Sequence, residues 1–198
     1  MKLCERVEQI IGAYDGIPNP VEAGPKGQDG FYIPSKWKDL VKTLVYGTAS
    51  GLYRQNGGYF MDAGSGDGRV LALMSCFGFR PLGIELDKVL FDQSKEVIDA
   101  LVRRGIIDGN IHLVNGDFNE DETYKAAGIN FISIDHIFHG INSAPLQRLI
   151  QRITRESKPG TTLTVYAPFD GIPGIEHLTL LRHIQVGMLS DAAFYKKG

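Results

Sequence analysis

The chain has 198 residues, 43% of them hydrophobic, which suffices for one globular domain with a sizeable core. Its formal charge of −2 gives no global attraction to nucleic acid or to an anionic membrane surface. Cys4 and Cys76 lie far apart without metal-ligand spacing, and no apolar run reaches the roughly 18 residues of a membrane helix, so a cytoplasmic protein with free thiols and no membrane crossing is expected.

Residues 1–30 open with a short amphipathic stretch and continue into "GIPNPVEAGPKGQDG", where Gly and Pro fix turns and interrupt helices. This segment reads as an N-terminal arm or lid, leaving 31–198 as the domain proper. In "PSKWKDLVKTLVYG", Ser35 offers an N-cap, and Trp37, Leu40, Val41, Leu44 and Val45 repeat at the spacing of one buried helix face.

Two periods then alternate. "GGYFMDAG" predicts a strand, "RVLALMSCFG" a helix ending at Gly78, and "RPLGIELD" a second strand. "DQSKEVIDALVRRG" predicts a helix with Val97, Ile98, Leu101 and Val102 inward and Gly105 as its stop. "NIHLVNGD" and "INFISIDHI" follow as strands three and four, then a helix opened by Pro145, then the strand "TTLTVYAP". Such alternation means parallel strands joined by crossover helices, a doubly wound, Rossmann-like α/β sheet. At the end, only "MLS" separates "LRHIQVG" from "DAAFYKKG", too short for a helical crossover, so the last two strands should pair antiparallel.

In such a sheet, ligands sit beyond the carboxyl ends of the strands. "DAGSGDG" falls at the first of these ends, where Gly64, Gly66 and Gly68 admit positive φ and let a ligand approach bare backbone. Glu85, seventeen residues beyond Gly68 at the second end, has the position of a ribose-hydroxyl acceptor. At the third end, Asp117 offers an acceptor for an adenine amino group and Phe118 an apolar neighbour. Three strand ends thus converge on a nucleoside. The dinucleotide pattern G-x-G-x-x-G needs its third glycine at the position of Arg69, and the carboxylates of Asp62 and Asp67 would repel a pyrophosphate. A cofactor with a cationic amino group suits that loop, which favours S-adenosylmethionine over NAD.

The stretch "YFMDAGSGDGRVLALMSCFGFRPLGIELD", with "NGDF" and "NFISIDHIF" behind it, resembles the class I S-adenosylmethionine-dependent methyltransferases. With "FYIPS" ahead of the first domain helix, it is most similar to small archaeal protein-lysine methyltransferases and the core of non-SET histone-lysine methyltransferases. The resemblance runs from about residue 31 to 135. It implies a seven-stranded sheet with an antiparallel last strand and S-adenosyl-L-methionine as cofactor. It also implies Gly64 and Gly66 against the methionine part, Glu85 on the ribose, Asp117 on the adenine amino group and Tyr32 to Ser35 over the cofactor, with Asp62, Ser65, Gly68, Leu86 and Phe118 as further cofactor-binding residues.

Acceptors enter this fold at the end of strand four, where "DHIFH" is expected to place Asp135 and His136 in the active site. A metal held by Asp135, His136 and His139 is disfavoured for want of a further firm ligand. The strand end lacks the N-P-P-Y type of clamp for planar amines, so nucleic-acid bases are unfavoured; the resemblance implies an amine acceptor, a protein lysine. A small-molecule acceptor and a non-catalytic cofactor-binding partner subunit are the alternatives. Arg148, Arg152 and Arg155 are expected on a solvated helix face, with Arg69 turned to solvent or to a nearby carboxylate.

Overall fold

The computed structural model describes residues 2–15, 35–140, 144–168 and 174–198. Its strands are β1 (Tyr59–Ala63), β2 (Arg80–Glu85), β3 (His112–Asn115), β4 (Ile134–Gly140), β5 (Thr162–Pro168), β6 (Thr179–Gln185) and β7 (Ser190–Lys196). They form one sheet in the order β3-β2-β1-β4-β5-β7-β6. All pairings among β1 to β5 are parallel, whereas β7 runs antiparallel to both β5 and β6. The expected α/β sheet with an antiparallel last strand is the one observed. Its last hairpin is closed by Val186 N–H donating to the Ser190 carbonyl at 2.9 Å.

The helices are α1 (Leu3–Tyr14), α2 (Trp37–Ala49), α3 (Arg69–Cys76), α4 (Lys88–Arg103), α5 (Asp121–Ala126) and α6 (Ala144–Glu156). Because successive strand side chains alternate faces, β1 sends Phe60 into a core with α1 to α4 and Met61 and Ala63 into a second core with α5 and α6. Ile10 and Tyr14 of α1 lie in the first core, so residues 3–14 belong to the packed body rather than to an arm. The arm-or-lid expectation for residues 16–30 lies outside the described residues, as does Tyr32.

Several local expectations are displaced. Lys36 takes the N-cap position of α2 without a side-chain bond, while Ser35 uses its carbonyl to accept from Arg69. Leu40 and Leu44 are buried, yet Val45 faces outward. Helix α4 begins before the expected stretch, because Asp87 caps it by accepting from Val89 N at 2.8 Å and Leu90 N at 3.1 Å. Arg152 is not solvated: it pairs with Asp121 and Glu156 and lies over the Tyr124 and Phe131 rings, 4.4 and 4.7 Å from their centroids.

The largest correction concerns strand four. Residues Phe131–Ser133 form a 3-10 turn, begun by Asn130 accepting from Ile132 N, so β4 starts only at Ile134. Asp135 and His136 therefore sit at its beginning, at the edge opposite the expected acceptor entrance. There Asp135, 3% exposed, accepts from Gly58 N at 2.9 Å and pairs with Lys158. The His136 ring bonds the Thr162 hydroxyl at 2.7 Å and the main chain of Arg54, inside a cluster of Tyr53, Phe60 and Phe79. Burial pulls its pKa below the usual histidine value. Both side chains tie the loop before β1 to the strands that follow.

Asp135→Ala should therefore destabilise the protein by about 1–3 kcal/mol, the cost of orphaning a part-buried donor. At about 2–4 °C per kcal/mol for this chain length, calorimetry would register several degrees of lowered Tm. An unchanged Tm would remove Asp135 from the role of sheet anchor.

Candidate functional site

The carboxyl ends of β1, β2 and β3 meet where β1 turns into α3. Gly64, Gly66 and Gly68 have φ of 84°, 53° and 83°, a region that side chains rarely adopt. The loop is also closely packed. A Cβ on Gly68 would lie 2.2 Å from the Ser94 hydroxyl of α4, so that position admits only glycine. Gly64 N and Ser65 N both donate to the Ile84 carbonyl, at 2.9 and 3.1 Å, which pins the first turn of the loop to β2.

Glu85, at the last position of β2, closes the arrangement. Its carboxylate accepts from Gly66 N at 2.7 Å and from Asp87 N at 2.8 Å, so one side chain fixes both the glycine loop and the start of α4. Sequence reasoning assigns Glu85 a ligand contact and overlooks this second task. Leu86 beside it is 68% exposed, an apolar side chain at the rim of the site. Asn115 is a residue that the sequence did not single out. Its side-chain amide donates to the Glu85 carbonyl at 2.8 Å and holds the ends of β2 and β3 together. A polar residue ending an apolar strand was the available signal.

Asp117 lies two residues beyond β3, where one carboxylate oxygen accepts from Asn119 N at 2.8 Å and the other faces Arg148 at 3.8 Å. Phe118 reaches back across the loop. Its ring would be 3.8 Å from a Cβ on Gly64 and meets His139 edge-on with centroids 5.5 Å apart. His139, near the true carboxyl end of β4, is buried and bonds the Ala63 carbonyl through Nδ1 at 2.7 Å. It thus stands at the strand end where the sequence placed Asp135 and His136. No group of metal-ligating side chains occurs among the described residues.

The site is acidic. Asp62, Asp67 and Glu85 are all buried, and among the described residues only Asp67 of the three is paired with a cation, Arg69. Burial pushes the Asp62 carboxyl well above the usual range, with the Glu85 and Asp67 charges adding to the shift. Burial raises Glu85 as well, opposed by its bonds from the Asp87 and Gly66 amides. A buried cluster of this kind favours a ligand that brings a positive charge and hydrogen-bond donors.

No family model matches the sequence, and neither does any curated protein. Solved structures share the fold. An RNA methyltransferase from Salinibacter ruber in complex with S-adenosyl-L-homocysteine aligns with a TM-score of 0.62 at 16% identity, over 83% of this chain and 93% of that one. MtNAS, in a mutant complex with S-adenosylmethionine, gives 0.65 at 17% identity over 98% and 71% of the two chains. A Pyrococcus horikoshii protein assigned as an RNA methyltransferase gives 0.63 at 12% identity and spans 98% of each chain. At these identities the shared property is the fold. Among the described residues, no helix is long and apolar enough to cross a membrane.

The raised pKa of Asp62 makes stability depend on pH. Above the ordinary carboxylate value near 3.9, the folded chain keeps a proton that the unfolded chain has released. Ligand-free stability should therefore fall as pH rises from that value toward the raised one. Asp62→Asn should flatten this fall and unfold at a higher temperature than the parent at neutral pH, with the difference vanishing at the acid end. Equal Tm-against-pH profiles would mean that Asp62 titrates normally.

Proposed function

We propose that this protein is an S-adenosylmethionine-dependent methyltransferase acting on an aliphatic amine, in the first place a protein lysine. The observation that carries the reading is the convergence of a positive-φ glycine loop, the Glu85 carboxylate and the buried Asp62 at the adjacent carboxyl ends of β1 and β2. The fold shared with structures that hold S-adenosylmethionine and S-adenosyl-L-homocysteine supports it.

Within this reading, Gly64, Ser65, Gly66 and Gly68 present main chain to the methionine part, and Asp62 faces its amino group. That fit relieves the cost of a buried carboxylate, because an ammonium favours the charged form of Asp62. Glu85 keeps lone pairs beyond those given to Gly66 and Asp87 and offers them to the ribose hydroxyls. Leu86 and Phe118 flank the adenine, and Asp117 accepts from its amino group. Tyr32 remains an expectation for the covering segment. S-adenosylmethionine supplies a sulfonium methyl: the acceptor nitrogen forms the new N–C bond, the S–C bonding pair stays on sulfur, and the amine proton passes to solvent. The chain's own contribution is position and exclusion of water, which favours the neutral amine.

The acceptor side of the proposal moves with β4. Asp135 and His136 hold the opposite edge, so the contacts to the amine are assigned to the His139–Gly140 end. The missing planar-amine clamp beyond this strand supports an aliphatic amine. An RNA acceptor is the second reading, favoured by the RNA methyltransferases among the structures of the same fold.

Calorimetry should show S-adenosylhomocysteine binding with no comparable binding of NAD or NADP. Glu85→Gln should weaken that binding at least about tenfold, the equivalent of one charge-assisted hydrogen bond. Binding of NAD instead would overturn the cofactor reading. Incubation with labelled S-adenosylmethionine and cell extract, followed by protease or ribonuclease, separates the acceptors. Label lost to protease supports the lysine, and label lost to ribonuclease replaces it with RNA.

A further inference from the structure

Arg69 meets a local carboxylate as expected, that of Asp67, and also joins two distant segments. It is the first residue of α3, directly behind Gly68, and its side chain is only 15% exposed. Its Nε donates to both Asp67 oxygens at 2.9 and 3.0 Å, and Nη2 also bonds that carboxylate. From the same plane, Nη1 donates to the Ser35 carbonyl at 2.6 Å, ahead of α2. The guanidinium carbon lies 4.8 Å from the Trp37 ring centroid and 5.7 Å from that of Tyr14 of α1, two rings that meet edge-on at 5.1 Å.

Helix energetics give no reason for a cation here. The first turn of a helix is its positive end, so a charge at this position is mildly unfavourable. The loop gives one. Asp67 stands between Gly66, held by Glu85, and Gly68, whose N–H donates to the Ser65 carbonyl at 2.9 Å. A planar fork that binds a carboxylate in two places, donates to a third group and lies on aromatic faces is available to arginine and not to lysine.

From this geometry we infer that Arg69 is a positioning residue that couples the ligand-binding shape of the glycine loop to the seating of α1 and of the chain entering α2. The inference rests on the cofactor reading above. A ligand that orders the loop then also tightens the α1–α2 seat, and by reciprocity a loosened seat weakens the ligand.

Trp37 is the chain's one tryptophan, so its fluorescence reports on this junction alone. Binding of S-adenosylhomocysteine to the parent protein should change Trp37 emission, with a midpoint equal to the calorimetric Kd. Arg69→Lys keeps the charge and loses the fork. It should unfold cooperatively, bind S-adenosylhomocysteine at least about tenfold more weakly, and lose the ligand-induced change in emission. A contact that only glued α1 in place would lower Tm and leave affinity and emission response intact. If Arg69→Lys does not fold, Asp67→Asn, which loosens the loop end of the fork, should show the same two losses. Parent protein that binds no S-adenosylhomocysteine overturns the cofactor reading and the coupling together. A parent that binds, with variants matching its affinity and emission response, overturns the coupling alone.

Discussion

The bond from Gly66 N to the Glu85 carboxylate is the constraint around which the functional end of this molecule is arranged. A glycine loop with three positive-φ residues has a large conformational entropy when free. Glu85 reduces that freedom from the end of the neighbouring strand, where its own position is fixed by the β1–β2 pairing and by Asn115 from β3. The same carboxylate accepts from Asp87 N, so the entry to α4 is set along with the loop. Parallel pairing brings three strand ends to one level, and a single buried acceptor fixes the glycine loop and the start of α4 against them.

Acidity and burial are linked in this arrangement. Burying Asp62 beside Glu85 costs free energy in the ligand-free chain, which is why its carboxyl holds a proton to a higher pH than usual. A cationic ligand group reverses the sign of that cost. This end of the sheet therefore carries a local cost that folding elsewhere offsets. The two cores on either face of the sheet supply that support, with Phe60 on one side and Met61 on the other from adjacent positions of β1.

The opposite edge of the sheet is held by different means. Asp135, Lys158, Thr162 and His136 make a polar seam among aromatic rings where strands begin, away from the glycine loop. The acidic residues Asp62 of β1 and Asp135 of β4 therefore divide between the proposed ligand site and a structural anchor. Their difference is which end of a strand they occupy.

The sequence by itself determined the features whose cause is local. Positive-φ glycines, the 3.6-residue period of α2 and α4 and the short connection between β6 and β7 act over a few residues, and each left a readable pattern. From these the sheet, its antiparallel strand and the convergence of Asp62, Gly64, Gly66 and Glu85 followed. Only the tertiary structure decided where β4 begins, since the 3-10 turn at Phe131–Ser133 uses apolar residues that read equally well as strand. That shift of a few residues exchanged Asp135 and His136 for His139 at the site. The tertiary structure likewise decided the fates of Arg69 and Arg152, whose partners include Ser35 and Asp121, each more than thirty residues away in the chain. Charge patterns within a helix carry no record of such partners, because a guanidinium is buried by whatever carboxylates and rings the fold brings to it, and that is a property of three-dimensional packing.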